Sequence, residues 1–240
     1  MISLAIDTSA KTVGVALLEN EDVLVEKYLN LGTNSSILLM PAVEDVFRIS
    51  GFSMEQVDLM VCTIGPGSFT GLRIGIGTIK GLAMALGKPI VGVSTLDALA
   101  FNGVHADMLI CPMMDAQRGQ IYTALYSSDS CYFLKRIGDE RVVDVDAFLA
   151  PLHDDILFLG DGAIKYRDRI KKTLTDKSFF AAPHLHTVRA SVVGLLGLKK
   201  HARGEFLDLL TFTPHYIRLS EAEAKLLQRN TELDVHDKKE

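Results

Sequence analysis

Residues 57–87, VDLMVCTIGPGSFTGLRIGIGTIKGLAMALG, limit what this chain can fold into more than any other stretch. The run 57–64 is apolar, of strand length and closed by a turn signal, which is the pattern of a buried strand. Gly65-Pro66-Gly67-Ser68-Phe69-Thr70-Gly71 then reads as a strand-to-helix turn, with Ser68 or Thr70 placed to cap the helix that follows. A glycine inside a helix costs about 1 kcal/mol relative to alanine, yet Gly75, Gly77 and Gly81 all fall inside this one. At roughly 100° per residue, Leu72, Ile76, Ile79, Ala83 and Leu86 share one face. Ile74, Gly77, Gly81 and Ala85 fall opposite, and only Arg73, Thr78 and Lys80 are polar. A helix without a solvent face is covered on both sides. The large residues suit packing on a sheet, and the small ones at i, i+4 let a second backbone approach. The expected second neighbour is another helix, from this chain or from another.

Two catalytic readings of the turn fail on spacing. A phosphate loop needs Gly, four residues, then Gly-Lys-Ser/Thr, which Gly65 followed by Phe69-Thr70-Gly71 does not supply. A nucleophile elbow around Ser68 needs glycines where Pro66 and Thr70 stand. With no identifiable histidine partner either, a Ser68 protease is set aside.

The 240 residues allow one large domain or two small ones, and 48% hydrophobic content supplies ample core. No apolar run reads as long enough to span a bilayer, and the amino terminus enters a strand pattern directly. Cys62, Cys111 and Cys131 are odd in number and far apart, which suits a reducing cytoplasm and neither a disulfide framework nor a zinc site. A net charge of −5 is not that of an autonomous nucleic-acid binder, so contact with RNA has to be local or shared.

In chain order, 2–7, 13–18 and 23–29 read as a three-stranded meander. Asn34-Ser35-Ser36 can start a helix to about residue 50, with Pro41 either kinking it or delaying its start. Its apolar residues, Leu38, Leu39, Met40, Val43, Val46, Phe47 and Ile49, cover more than one stripe. A short strand at 89–93 and a helix from Ser94-Thr95 to about Phe101 follow the central unit. Strands are then expected at 108–113, 120–127, 132–137 and 156–159, and helices at 144–149, 163–174 and 189–203. Laid without gaps, residues 7–18 and 115–126 each carry an Asp, a tight polar turn and a strand with Ala-Leu. The pattern reads as an internal duplication, with lobes at 1–103 and 104–220 and a charged, fraying tail at 221–240.

Duplicated α/β domains whose first hairpin carries Asp-Thr-Ser resemble the actin, hexokinase and Hsp70 (ASKHA) superfamily, built from two ribonuclease-H-like lobes. That resemblance implies a nucleotide-phosphate grip at Asp7, Thr8 and Ser9, with Asp7 on the metal side and Asp115 matching it in the second lobe. The plainer alternative is that each Asp caps its own turn; it is preferred for Asp115, whose hairpin Asp115-Ala116-Gln117-Arg118-Gly119 is poor in glycine. An ATP-dependent phosphotransferase acting on a small molecule is the alternative function on this basis.

A sharper resemblance spans nearly the whole chain. Ile6-Asp7-Thr8-Ser9, the stretch from Gly65 through Gly75, Met114 through Gly119, Pro214-His215-Tyr216-Ile217-Arg218 and Glu221-Ala222-Glu223 together resemble the bacterial TsaB (YeaZ) family. The resemblance implies a non-catalytic, cytoplasmic subunit of the machinery that builds threonylcarbamoyladenosine beside the anticodon of tRNAs reading codons that begin with A. Such a subunit pairs with TsaD, helps recruit the ATPase TsaE, meets tRNA only through the complex, and homodimerises when TsaD is absent. ATP and metal are then expected on the partner subunits, with none held by this chain. In TsaD-like sequences two histidines at i, i+4 hold a metal; Thr95 and Leu99 stand there, and His184 and His186 read as exposed loop residues. By the resemblance, the helices at roughly 35–50 and 71–87 form the pairing surface. Leu39, Met40, Val43, Phe47, Arg73, Ile74, Gly77, Thr78, Gly81 and Ala85 are its expected residues. The two-sided helix faces point the same way. Lys165, Arg167, Arg169, Lys171, Lys172 and Lys177 form the one basic stretch, ordinarily a solvated helix face.

Overall fold

Alternation along the first strands divides their side chains between two helical layers. Ile2–Asp7 (β1), Val13–Glu19 (β2) and Asp22–Leu29 (β3) form the expected meander. In this computed structural model, which describes residues 1–32, 35–129 and 133–218, Leu4 and Ile6 of β1 join a core with helices Ser35–Ser50 (α1) and Phe69–Leu86 (α2). Ala5, between them, points into a different core on the other face. Leu59–Gly65 (β4) and Ile90–Ser94 (β5) add in parallel, giving the order β3-β2-β1-β4-β5. Thr95–Phe101 (α3) follows, capped by the Ser94 hydroxyl.

The second sheet repeats the first. Leu109–Asp115 (β6), Gln120–Ser128 (β7) and Leu134–Asp144 (β8) are antiparallel neighbours, and after Val145–Leu149 (α4) the strand Ile156–Leu159 (β9) lies parallel to β6. Asp161–Lys165 (α5), Arg167–Leu174 (α6) and the strand Ser178–Phe180 (β10) complete it, in the order β8-β7-β6-β9-β10. Two sheets of one topology, each a meander followed by parallel strands, make the two-lobed ASKHA architecture. The gap-free match between the hairpins breaks by one residue, because Asp7 faces Gly14 whereas Asp115 faces Ile121. Gln117, Arg118 and Gly119 all take positive φ, and this run of left-handed residues tightens the second turn.

Ala190–Ala202 (α7) lies across the division at residue 103. It packs on β1, β2, β4 and β5 of the first sheet, and with α3 it fills a central core between the two sheets. Gly194 and Gly197 allow this approach: a Cβ at Gly197 would meet the Val61 side chain, and one at Gly194 would meet Leu18.

α1 starts at Ser35, within the expected Asn34-Ser35-Ser36, and carries Pro41 inside it, on the exposed side. Other expectations need correction. β8 runs on to Asp144 instead of ending near residue 137, because Gly138, with φ 77°, and a register shift between Thr123 and Leu125 let a charged edge strand bend and continue. The helix expected at 163–174 starts at Asp161 and breaks at Tyr166, whose ring is buried. β10 had no expectation. α2, at 18 residues and mean hydropathy 1.2, is by length and composition alone able to cross a membrane, but here one face packs on the first sheet. Asn34, Cys131, Tyr132 and the 221–240 tail lie outside the described residues.

The close fit of α7 generates a prediction. Gly197→Leu is expected to destabilise the fold by about 1–3 kcal/mol through overpacking against Val61, measured by urea unfolding. Unchanged stability would mean that α7 does not sit this close to β4.

Candidate partner face and interlobe cleft

The turn into α2 is pressed onto the β1–β2 hairpin. Ser68 caps the helix, its hydroxyl accepting the Gly71 N–H at 3.2 Å, and Gly87, with φ 64°, ends it in a left-handed C-cap. The Ser68 N–H donates to the Ser9 carbonyl at 2.7 Å, and the Thr8 hydroxyl donates to the Gly71 carbonyl at 2.7 Å. A Cβ at Gly67 would collide with the Ser9 carbonyl, one at Gly71 with the Thr8 carbonyl, and one at Gly75 with the Thr8 hydroxyl. Three of the glycines therefore serve this contact.

Asp7 lies beneath it, fully buried. Its Oδ1 accepts the Ser9 N–H at 3.1 Å, the Ser9 hydroxyl at 2.6 Å and the Thr63 hydroxyl at 2.8 Å, while Oδ2 has no partner among the described residues. Burial raises its pKa above the ordinary 3.8, against the pull of the bonds from Ser9 and Thr63. A cleft of about 930 Å³ runs between the lobes, walled by both hairpins, the α2 turn and the segment His215 to Arg218. Of Asp7, Thr8 and Ser9, only Ser9 lines it. The α2 turn covers the hairpin at Thr8 and Ser9, while Ala10 and Lys11 of the same hairpin face the cleft. Asp115 does line the cleft, where it caps its turn by accepting the Gln117 N–H at 3.0 Å and pairs with Lys165 at 2.7 Å.

The outward faces of α1 and α2 contrast with this. Gly77 and Gly81 are exposed, and a Cβ at either would meet no atom of the described residues within 4 Å. Ala85 is exposed beside Met84, which is 62% accessible, and Ile74 and Thr78 are half-buried. On α1, Met40 is exposed, and Ile37, absent from the sequence expectation, is 63% accessible. Leu39, Val43 and Phe47 must be removed from the expected pairing surface. At i, i+4, i+8 they form the stripe of α1 that faces the sheet, and all three are buried in the first core. Arg73 is engaged within the chain: its guanidinium lies 4.0 Å from the Phe69 ring centroid, and its Nε donates to the Tyr216 hydroxyl at 3.1 Å. The Tyr216 ring stacks on Phe69 at 4.5 Å, and Lys80 donates to the Phe212 carbonyl at 2.8 Å. The segment after α7 thus straps one edge of α2.

The remaining candidates are structural. Thr95 and Leu99 are buried in the central core. His184 is exposed as expected, but His186 is buried, accepting the Gly160 N–H at Nδ1 (3.1 Å) with Nε2 3.0 Å from the Ala181 carbonyl. Burial lowers its pKa. Arg167 lies 4.5 Å from the Phe180 ring centroid and Arg169 3.8 Å from Asp146, so part of the basic stretch is engaged at home.

A family model described as TsaD, tRNA N6-adenosine threonylcarbamoyltransferase, matches residues 32–226. The tRNA threonylcarbamoyladenosine biosynthesis protein TsaB of Bacillus subtilis is 38% identical over 230 residues, covering 95% of this chain and 99% of its own. The chain belongs to the TsaB (YeaZ) family. The solved structure of YeaZ from Pseudomonas aeruginosa superimposes with a TM-score of 0.77 at 27% identity, over 90% of this chain and 99% of that one. Component A of the Acidaminococcus fermentans (R)-2-hydroxyglutaryl-CoA dehydratase shares the fold alone, at TM-score 0.51 and 10% identity over 84% of this chain and 99% of that one.

For this TsaB-family chain the two classes of glycine predict opposite outcomes. Gly77→Ala and Gly81→Ala are each expected to stabilise the monomer by about 0.5–1 kcal/mol, the ordinary gain at an open helix position. Gly71→Ala is expected to destabilise it. Urea unfolding at concentrations where the chain is monomeric checks both; a loss at Gly77 would place a neighbour there within the chain.

Asp7 carries a pH prediction. The folded chain holds the Asp7 proton more tightly than the unfolded chain, so stability falls as pH rises above 3.8 through the raised folded value. Asp7→Asn removes that penalty, and its stability relative to wild type is expected to rise between about pH 4 and pH 7. A difference that shrinks with pH would reveal a counter-ion beside Asp7.

Proposed function

We propose that this chain is the non-catalytic scaffold subunit of the complex that transfers threonylcarbamoyl to the adenosine beside the anticodon in tRNAs reading codons that begin with A. Family membership assigns it to threonylcarbamoyladenosine biosynthesis and implies association with a TsaD-type complex. The finer role rests mainly on one observation: Gly77 and Gly81 lie on an open helix face where, among the described residues, no atom comes within 4 Å of a Cβ at either. Two glycines in mid-helix cost stability without a return inside the monomer. A second helix backbone docking against them supplies the return.

The pairing surface is the outward face of α2 with the exposed side of α1. Ile74, Gly77, Thr78, Gly81, Met84 and Ala85 come from the first, and Ile37 and Met40 from the second. A TsaD-type subunit is the proposed occupant, and a second copy of this chain takes its place when that subunit is absent. In this reading the assembled pair recruits a TsaE-type ATPase, tRNA is bound by the assembled complex, and the chain acts in the cytoplasm with no nucleotide or metal of its own. The burial of Asp7 and Thr8, neither of which lines the cleft, supports the last point.

The test is threonylcarbamoyladenosine yield from tRNA, threonylcarbamoyl-adenylate, ATP and the TsaD- and TsaE-type proteins, with no subunit, wild type, Gly81→Leu or Asp7→Asn. Omission and Gly81→Leu are expected to abolish product, and Gly81→Leu to weaken pairing with the TsaD-type protein at least about tenfold. Asp7→Asn is expected to support normal yield. Loss with Asp7→Asn alongside full activity of Gly81→Leu would move the functional site to the cleft and favour the phosphotransferase reading.

A further inference from the structure

A second concave site lies away from both surfaces described above. The end of α7, α3 and the start of β8 enclose a groove of about 320 Å³. Four cations line it, Arg136, Lys199, Lys200 and Arg203, against two carboxylates, Asp97 and Glu205. Arg136 is committed inward, paired with Glu140 and 3.7 Å from Asp97. Lys200 and Arg203 share Glu205 at 3.4 and 3.8 Å, so three cations at the helix end meet one carboxylate. A chain of net charge −5 has concentrated positive charge here.

Aromatic rings are set among these cations. The Lys199 ammonium lies 5.4 Å from the Phe101 ring centroid, and the Arg203 guanidinium 5.9 Å from that of Phe133. Phe133 is 52% accessible. Basic residues in the last turn of a helix complement its dipole, which accounts for Lys199 and Lys200. It does not account for phenylalanines brought to the same groove from α3 and from the residue before β8. Exposed rings beside cations on a concave surface match a ligand that alternates flat bases with phosphates.

We propose that this groove binds single-stranded RNA, with a base stacked on Phe133 and the flanking phosphates on Lys199, Lys200 and Arg203. α7 covers the face of the first sheet opposite α1 and α2, so a partner docked on those helices leaves the groove open. The choice of RNA over another polyanion rests in part on the function proposed above, and the test below reads the groove by itself.

Full-length protein is titrated into a fluorescein-labelled single-stranded RNA of about 12 nucleotides at about 50 mM salt, followed by anisotropy. Unlabelled duplex RNA of the same sequence and a polyglutamate peptide serve as competitors. Wild type is expected to bind the single strand, with the competitors displacing it poorly. Phe133→Ala is expected to weaken binding about tenfold. Lys199→Ala with Arg203→Ala is expected to reduce the slope of log affinity on log salt by about 1.4. Gly81→Leu is expected to bind RNA as wild type does, so loss of the scaffold role and loss of this site are read separately. No binding by wild type, or folded variants that bind like wild type, would overturn the proposal. Equal displacement by duplex would reduce it to a general phosphate surface, and displacement by polyglutamate would assign the groove to an acidic protein.

Discussion

The backbone contact between the first turns of α2 and the β1–β2 hairpin is the constraint from which the cleft side of the molecule follows. Thr8 and Ser9 each bond to the turn, and no Cβ is tolerated at Gly67, Gly71 or Gly75. With the hairpin closed in this way, Asp7 is sealed beneath it and Ser9 alone of the three reaches the cleft wall. The same contact fixes how α2 lies on the sheet. Leu72, Ile76, Ile79 and Ala83 point into the first core, and Gly77, Gly81 and Ala85 are left facing outward. The β1–β2 turn thus acts as the mount for a helix.

Much of the architecture was legible in the sequence because its periodicities are simple. Strands with alternating or continuous apolar residues and tight turns declared the meanders, and the Asp-turn-strand repeat declared the duplication. The two-sided character of α2 could be read directly from spacing. What spacing could not do was sort the glycines of α2, because the clash at Gly75 and the open space at Gly77 depend on a hairpin more than sixty residues earlier in the chain. In α1 the difficulty was different: apolar residues surround the helix, so Leu39, Val43 and Phe47 on the sheet side looked equivalent to the exposed Met40 and Ile49. Gly138-Asp139-Glu140 reads as a turn to any local rule, yet the edge strand β8 absorbs it as a bend. His186 looked like a loop histidine because its partners, the Gly160 N–H and the Ala181 carbonyl, are set by tertiary packing.

The first sheet separates two surfaces of opposite chemistry. Its α1–α2 side is apolar and flat, with small residues at its centre, as suits close helix pairing. Its α7 side ends in cations and rings around a groove. Between them, the strap after α7 runs from the groove to the cleft, bonding Leu207 to Ile90, Lys80 to Phe212, and Arg218 to the Ala116 carbonyl. The strap therefore links α2, the groove and the cleft.

The return of α7 to the first sheet also sets the order in which this chain can become native. β1 ends at Asp7 and α7 begins at Ala190, so the sheet that is synthesised first has only α3 on the apolar face that α7 covers until the last described helix has been made. A contact this long in sequence slows folding, and it makes the lobes interdependent. Despite the duplicated topology, the halves are not two autonomous domains joined end to end. Ala5, Leu18 and Val61 of the first sheet gain their α7 neighbours only when residues 190–202 are in place.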